Sequence, residues 1–216
     1  MSESLTAVLA IGAVTLGSLH TIAPDHWVPF AALSRAQGWS RGKTMRITAL
    51  CGFGHVTVSV LMGILALVFG LEMLHLVGQR MEAVAGILLM AFGLVYGVLG
   101  LRRAAGEQFH GHHHHHYDHV HDPGNMTPWA LFLLFSADPC VAVIPILFAA
   151  APLGWVRTTF VVSAYEAATI ATMIVLVVPA RAVAHRIHGN WIVRYGDAAA
   201  GAVIAAVGLL VTVLGI

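Results

Sequence analysis

His20-Thr21-Ile22-Ala23-Pro24-Asp25-His26-Trp27-Val28-Pro29 interrupts an otherwise apolar run of helical length. A second stretch, Ser136-Ala137-Asp138-Pro139-Cys140-Val141-Ala142-Val143-Ile144-Pro145, interrupts another in the same way. Each stretch holds two prolines, one aspartate and a metal-binding side chain. A helical proline cannot donate to the carbonyl four residues back. Pro24 therefore frees the carbonyl of His20, and Pro29 that of Asp25. Freed backbone at membrane depth is tolerated where it is buried in protein or lines a cavity. On a straight helix His20 and His26 would lie about 120° apart. A break lets His20, Asp25 and His26 converge.

The rest of the chain makes these breaks intramembrane features. Of 216 residues, 58% are hydrophobic and 10% charged, against about 25% charged in globular domains. Mean hydropathy is +0.83. This excludes a disordered chain. Two cysteines, Cys51 and Cys140, and a net charge of +1 exclude a disulfide scaffold and a nucleic-acid binder. Apolar runs at 5–24, 47–71, 82–101, 129–151, 158–180 and 196–216 predict six crossings of a ~30 Å hydrocarbon core. The first run has no basic segment before it and reads as a span, not a cleaved signal peptide. Nine of the eleven basic residues fall in the loops after spans 1, 3 and 5. Arg80 and Arg157 fall on the other side. The positive-inside rule then predicts a multi-pass protein of the cytoplasmic (inner) membrane, with both termini outside.

The halves resemble each other. Residues 82–101 match residues 197–216 at nine of twenty positions with an offset of 115, including Gly86/Gly201, Gly93/Gly208 and Gly100/Gly215. Gly38-Trp39-Ser40-Arg41 matches Gly154-Trp155-Val156-Arg157 at an offset of 116, which Pro29 and Pro145 share. Three spans per half force the halves into opposite orientations. The expectation is an all-α integral membrane protein with six transmembrane helices in a 3+3 inverted repeat, the first helix of each half broken. The segments are 1–105, a His-rich cytoplasmic loop at 106–127, and 128–216. Gly93-x3-Gly97 permits close helix packing within a chain or in a homo-oligomer.

Ionisable groups at membrane depth are functional candidates by default. His20, Asp25, His26 and His55 form the expected metal set, with Asp138, Cys140 and Glu166 as possible second-half or coupling residues. Bland alternatives stand beside these assignments. Asp25 and His26 could cap a short helix near Arg35. His55 could be a hydrogen-bonded core histidine. Glu166 could relay protons or pair with Arg157. Cys140 ranks lower, because an apolar-flanked cysteine more often packs inertly. Two imidazoles or more with a carboxylate suit Ni²⁺ and Co²⁺, and also Zn²⁺, over Ca²⁺ or Mg²⁺. The loop carries His110, His112, His113, His114, His115, His116, His119 and His121, a metal-binding composition whose bland alternative is an engineered tag.

His20-x4-Asp25-His26 resembles the His-x4-Asp-His signature of the nickel/cobalt transporter superfamily. Gly54-His55-Val56-Thr57-Val58 is similar to that superfamily's second-helix segment, and six spans around a His-rich loop resemble its nickel/cobalt efflux (NicO-like) branch. The resemblance implies metal-site roles for His20, Asp25, His26 and His55. It departs at Thr21-Ile22-Ala23-Pro24, where relatives are Ala-rich, and at Asp138 before Pro139-Cys140. The function expected is a secondary transporter exporting Ni²⁺ or Co²⁺, not an enzyme. The chain shows no nucleotide-binding loop. It would hold no prosthetic group, and its partners would be the ion and the bilayer. The rivals are an uptake permease, an accessory protein delivering metal to an enzyme, and a His-box membrane metalloenzyme.

Overall fold

The structure, a computed structural model, describes the backbone of residues 2–69, 71–106, 126–138, 140, 142–186 and 190–214. The eight loop histidines lie outside these residues. The described residues form helices and turns, with no strand among them. In chain order the helices are α1 (Ser2–His20), α2 (Val28–Ala36), α3 (Arg41–Phe69), α4 (Leu71–Gly106), α5 (Met126–Ala137), α6 (Val143–Ala150), α7 (Trp155–Arg186) and α8 (Asn190–Leu214).

Five of these are long and apolar enough to cross a membrane: α1, α3, α4, α7 and α8. The run expected as a single crossing at 129–151 resolves into α5 and α6, each too short to span alone. Large apolar side chains stay exposed along the helices, among them Val8, Ile11, Val68, Phe160, Val175 and Val213. An exposed apolar surface of this extent needs a bilayer to cover it. The chain is a multi-pass membrane protein.

The first break falls earlier than the run at 5–24 implied. α1 ends at His20, because Pro24 disfavours helical geometry at the residue before it. Ala23 accordingly adopts φ −53°, ψ 134°, a polyproline-like conformation. The carbonyl of His20 is not left free. It accepts the Ala23 N–H at 3.2 Å in a tightened turn. Pro24–His26 then form one turn of 3-10 helix, and the Trp27 indole N–H donates to the Ile22 carbonyl at 3.1 Å, tying the break together.

α4 and α8 are packed backbone to backbone. A Cβ on Gly93 would strike the Ala205 backbone, and one on Gly208 the Met90 backbone. One on Gly201 would strike Gly97, and one on Gly86 would strike Thr212. Contacts that rise along α4 fall along α8, so the helices are antiparallel. The 115-residue offset exchanges these contacts pairwise: Gly93–Ala205 becomes Gly208–Met90, and Gly86–Thr212 becomes Gly201–Gly97. Gly93 and Gly97 thus serve packing inside the chain rather than between chains. α1 packs on α7, and α5 on α3, a second pair of contacts that the offset exchanges.

The turns entering α3 and α7 also correspond. Gly38 and Gly154, each before a tryptophan, are the positive-φ glycines of the described chain, at 59° and 88°. Gly154 pairs its φ with ψ 160°, a region essentially closed to any side chain and costing roughly 1–3 kcal/mol. Gly154→Ala is expected to lower stability in detergent by about that amount. A thermal melt unchanged from wild type would contradict this conformation.

The arginines gather at one end of the bundle. Arg35 Nε donates to the Ala184 carbonyl at 2.8 Å, and Arg194 Nη2 to the Ala104 carbonyl at 2.9 Å. Both carbonyls belong to final helical turns, which lack intrahelical donors and carry negative dipole charge. Arg181 donates to the Trp39 carbonyl, and Arg103 pairs with Asp197 at 2.9 Å. Arg157 sits in the first turn of α7, and hence at the opposite end of that helix from Arg181.

Candidate metal centre

The two breaks meet at the middle of α3. His55 is equidistant from both ends of that helix, about 21 Å from each. Gly54 clears the approach, because its Cβ position would fall against Ser136 and Phe132 of α5. The His55 ring is 1% exposed. Its Nδ1 lies 3.0 Å from the Phe135 carbonyl at the end of α5. A carbonyl can only accept, so Nδ1 carries the proton and Nε2 presents a lone pair. That tautomer, fixed by a backbone carbonyl, is the usual arrangement of a metal-ligating histidine.

Three imidazoles adjoin. The His26 ring stands edge-on to His20 and to His55, with centroids 4.5 and 5.2 Å away. Asp25 Oδ2 is 3.0 Å from His26 Nδ1. Asp25 and His26 are both buried. His20 Nε2, Asp25 Oδ1, His26 Nε2 and His55 Nε2 are all buried without a hydrogen-bond partner. Buried polar atoms are nearly always paired, and each unpaired one costs about 1–3 kcal/mol. Four such atoms lie in this one cluster.

Among the described residues, His20, His55 and Cys140 each place one potential ligand atom within 4.8 Å of the others. Asp25 and His26 stand beside this group. Arg35, whose nearness in sequence left open that Asp25 and His26 cap a short helix, donates to the Ala184 carbonyl in the last turn of α7.

Cys140 is held firmly. Its backbone N–H donates to Ser59 Oγ, and the Ser59 hydroxyl donates to the His55 carbonyl at 2.6 Å. Its Sγ lies 2.8 Å from the Tyr165 hydroxyl. Ser59 and Tyr165 were legible only as polar groups in apolar helices, and the neighbouring Glu166 drew the weight because it carries charge. Glu166 Oε1 is buried without a hydrogen-bond partner. Asp25 and Asp138 line one small cavity together with Pro29, Leu89 and Phe135.

Packing fixes the site on both sides. Phe135 stacks edge-on with Phe30 at 5.0 Å in a core that includes Leu33, Met173 and Ile204. Cys140 and Tyr165 belong to a second core with Val56, Val143 and Val161. Comparison with protein-family models, with curated proteins and with solved structures finds no match to this chain.

Proposed function

We propose that the chain is a secondary transporter that exports a divalent transition-metal cation, Ni²⁺ or Co²⁺ foremost and Zn²⁺ as a fitting third, through a site at His20, His55, Asp25 and His26. The observation that carries this reading is the set of four unpartnered buried donor atoms at the junction of two broken helices. Neutral imidazoles suit such ions, and carboxylates add compensating charge. A tight closed cage would hold its cargo. A site assembled from two breaks can release it when the breaks move apart.

The architecture proposed is a 3+3 inverted repeat with six crossings, α5 and α6 together making the fourth. The exchange of contacts between α4 and α8, the matched glycines 38 and 154, and the paired breaks support it. The arginine-rich end is assigned to the cytoplasm by the positive-inside rule, which puts the His-rich loop there to collect ions. Asp138 and Glu166 are the candidates for charge or proton compensation.

Elemental analysis of cells making the protein tests the reading across Ni, Co, Zn, Mn and Fe. A fall in one metal, reversed by His26→Ala, is the expected result. A rise that the same variant reverses would keep the site and reverse the direction. No change in any metal would remove transport and favour an accessory or enzymatic role.

A further inference from the structure

We propose that Cys140 is a direct ligand of the transported ion, joining His20 and His55 in a two-imidazole, one-thiolate set, so that the site selects thiophilic divalent cations over Mn²⁺ and Mg²⁺. The inference rests on the transport reading for its cargo, and adds to it a donor from the other half of the chain.

The geometry carries the assignment. The three donor atoms lie within 4.8 Å of one another. Tetrahedral ligation at about 2.0–2.3 Å places ligand atoms roughly 3.3–3.8 Å apart. Side-chain adjustments on the order of an ångström therefore close the set around an ion. His55 belongs to the group; its Nε2 is buried and unpartnered, with the tautomer fixed by the Phe135 carbonyl.

Cys51 provides the internal comparison. It is also buried and free, but it packs in the core of Phe30, Leu33 and Met173 and takes no part in the ligand group. Cys140 packs in a core as well, but it is also positioned by polar contacts. Ser59, one turn after His55, ties the Cys140 backbone to the helix that carries His55. Tyr165 brings a hydroxyl to the sulfur. A hydroxyl can donate to a thiolate, and such an outer contact orients a ligating sulfur and tunes it.

A buried thiolate is costly without a cation and stable with one. Binding therefore exchanges one for the other. The Cys140 S–H bond breaks, the sulfur–metal bond forms, and the proton is released to solvent. No electron moves. Thiolate with imidazole suits Zn²⁺, Co²⁺, Ni²⁺ and Cd²⁺, whereas Mn²⁺ and Mg²⁺ favour oxygen ligands.

The test is Co²⁺ titration of the purified full-length protein, followed by absorption and by equilibrium dialysis. Wild type is expected to show a thiolate-to-Co²⁺ charge-transfer band in the near ultraviolet. Cys140→Ser, which keeps a hydroxyl against Tyr165, should lose the band and bind Co²⁺ at least about tenfold more weakly. Cys51→Ser should keep both. Co²⁺ binding by wild type without the band would overturn the cysteine assignment and leave the transport site standing. Absence of Co²⁺ binding in the dialysis would remove both. A band that survives in Cys140→Ser would also overturn it. X-ray absorption of the Zn²⁺-loaded wild type needs no variant. One sulfur in the first shell is expected, and a shell of nitrogen and oxygen alone would contradict the proposal.

Discussion

Alanine at position 55 is expected to lower metal transport at least about 100-fold. His55 contributes in two ways, and the variants separate them. Its Nδ1–H satisfies the Phe135 carbonyl, so its removal leaves a buried acceptor unpaired at a cost of about 1–3 kcal/mol. Its Nε2, buried and unpartnered, is the atom proposed to bind the ion. His55→Asn can recover the first role through its amide, because that group donates, but it cannot extend a nitrogen donor to the position of Nε2. The expected pattern is a lowered melting temperature in His55→Ala, partial recovery in His55→Asn, and transport lost in both. Measurements of melting and of metal flux on the same preparations check it. Transport retained in His55→Asn would reduce His55 to a core histidine.

Gly201→Ala is expected to destabilise the protein by about 1–3 kcal/mol or more. The added methyl would run into the Gly97 backbone of α4 and lie against the Gly93 carbonyl, 2.6 Å away. No flexible side chain can yield there, so α4 and α8 must separate along a contact made mostly of backbone. In a bilayer that contact is held by close packing, since lipid tails give no hydrophobic drive between helices. Gly12→Ala is the matched control. Its Cβ would meet nothing within 4 Å, and alanine in a helix interior gains roughly 0.5–1 kcal/mol over glycine. Unfolding of the purified variants in mixed detergent should move in opposite directions. A Gly201→Ala protein as stable as wild type would mean that α4 and α8 are not in this contact.

The membrane character of the chain was legible from its long apolar runs, and the two helix breaks from residues 20–29 and 136–145, because proline acts through local backbone sterics. His20, Asp25, His26 and His55 were legible because ionisable side chains are costly among apolar ones. The convergence of Cys140 was not. Eighty-five residues separate it from His55, and no spacing rule spans that distance. The 116-residue offset did carry a signal, since it sets Cys140 opposite Pro24, inside the first break. Ser59 and Tyr165 escaped notice because a hydroxyl in an apolar helix usually satisfies itself on its own backbone. Only the packing of α3, α7 and the second break reveals that these two reach across. α1 ends four residues before the expected run does, because the effect of Pro24 falls on the turn before it.

The central claim is that a divalent cation crosses the membrane through the cluster of His20 and His55. Proteoliposomes holding a metal-sensitive dye test this most directly, with Ni²⁺, Co²⁺, Zn²⁺ and Mn²⁺ added outside in turn. The account predicts that wild-type vesicles fill with Ni²⁺, Co²⁺ or Zn²⁺ faster than protein-free vesicles, and that His55→Ala vesicles do not. Equal rates in wild-type, His55→Ala and protein-free vesicles for every metal would contradict it.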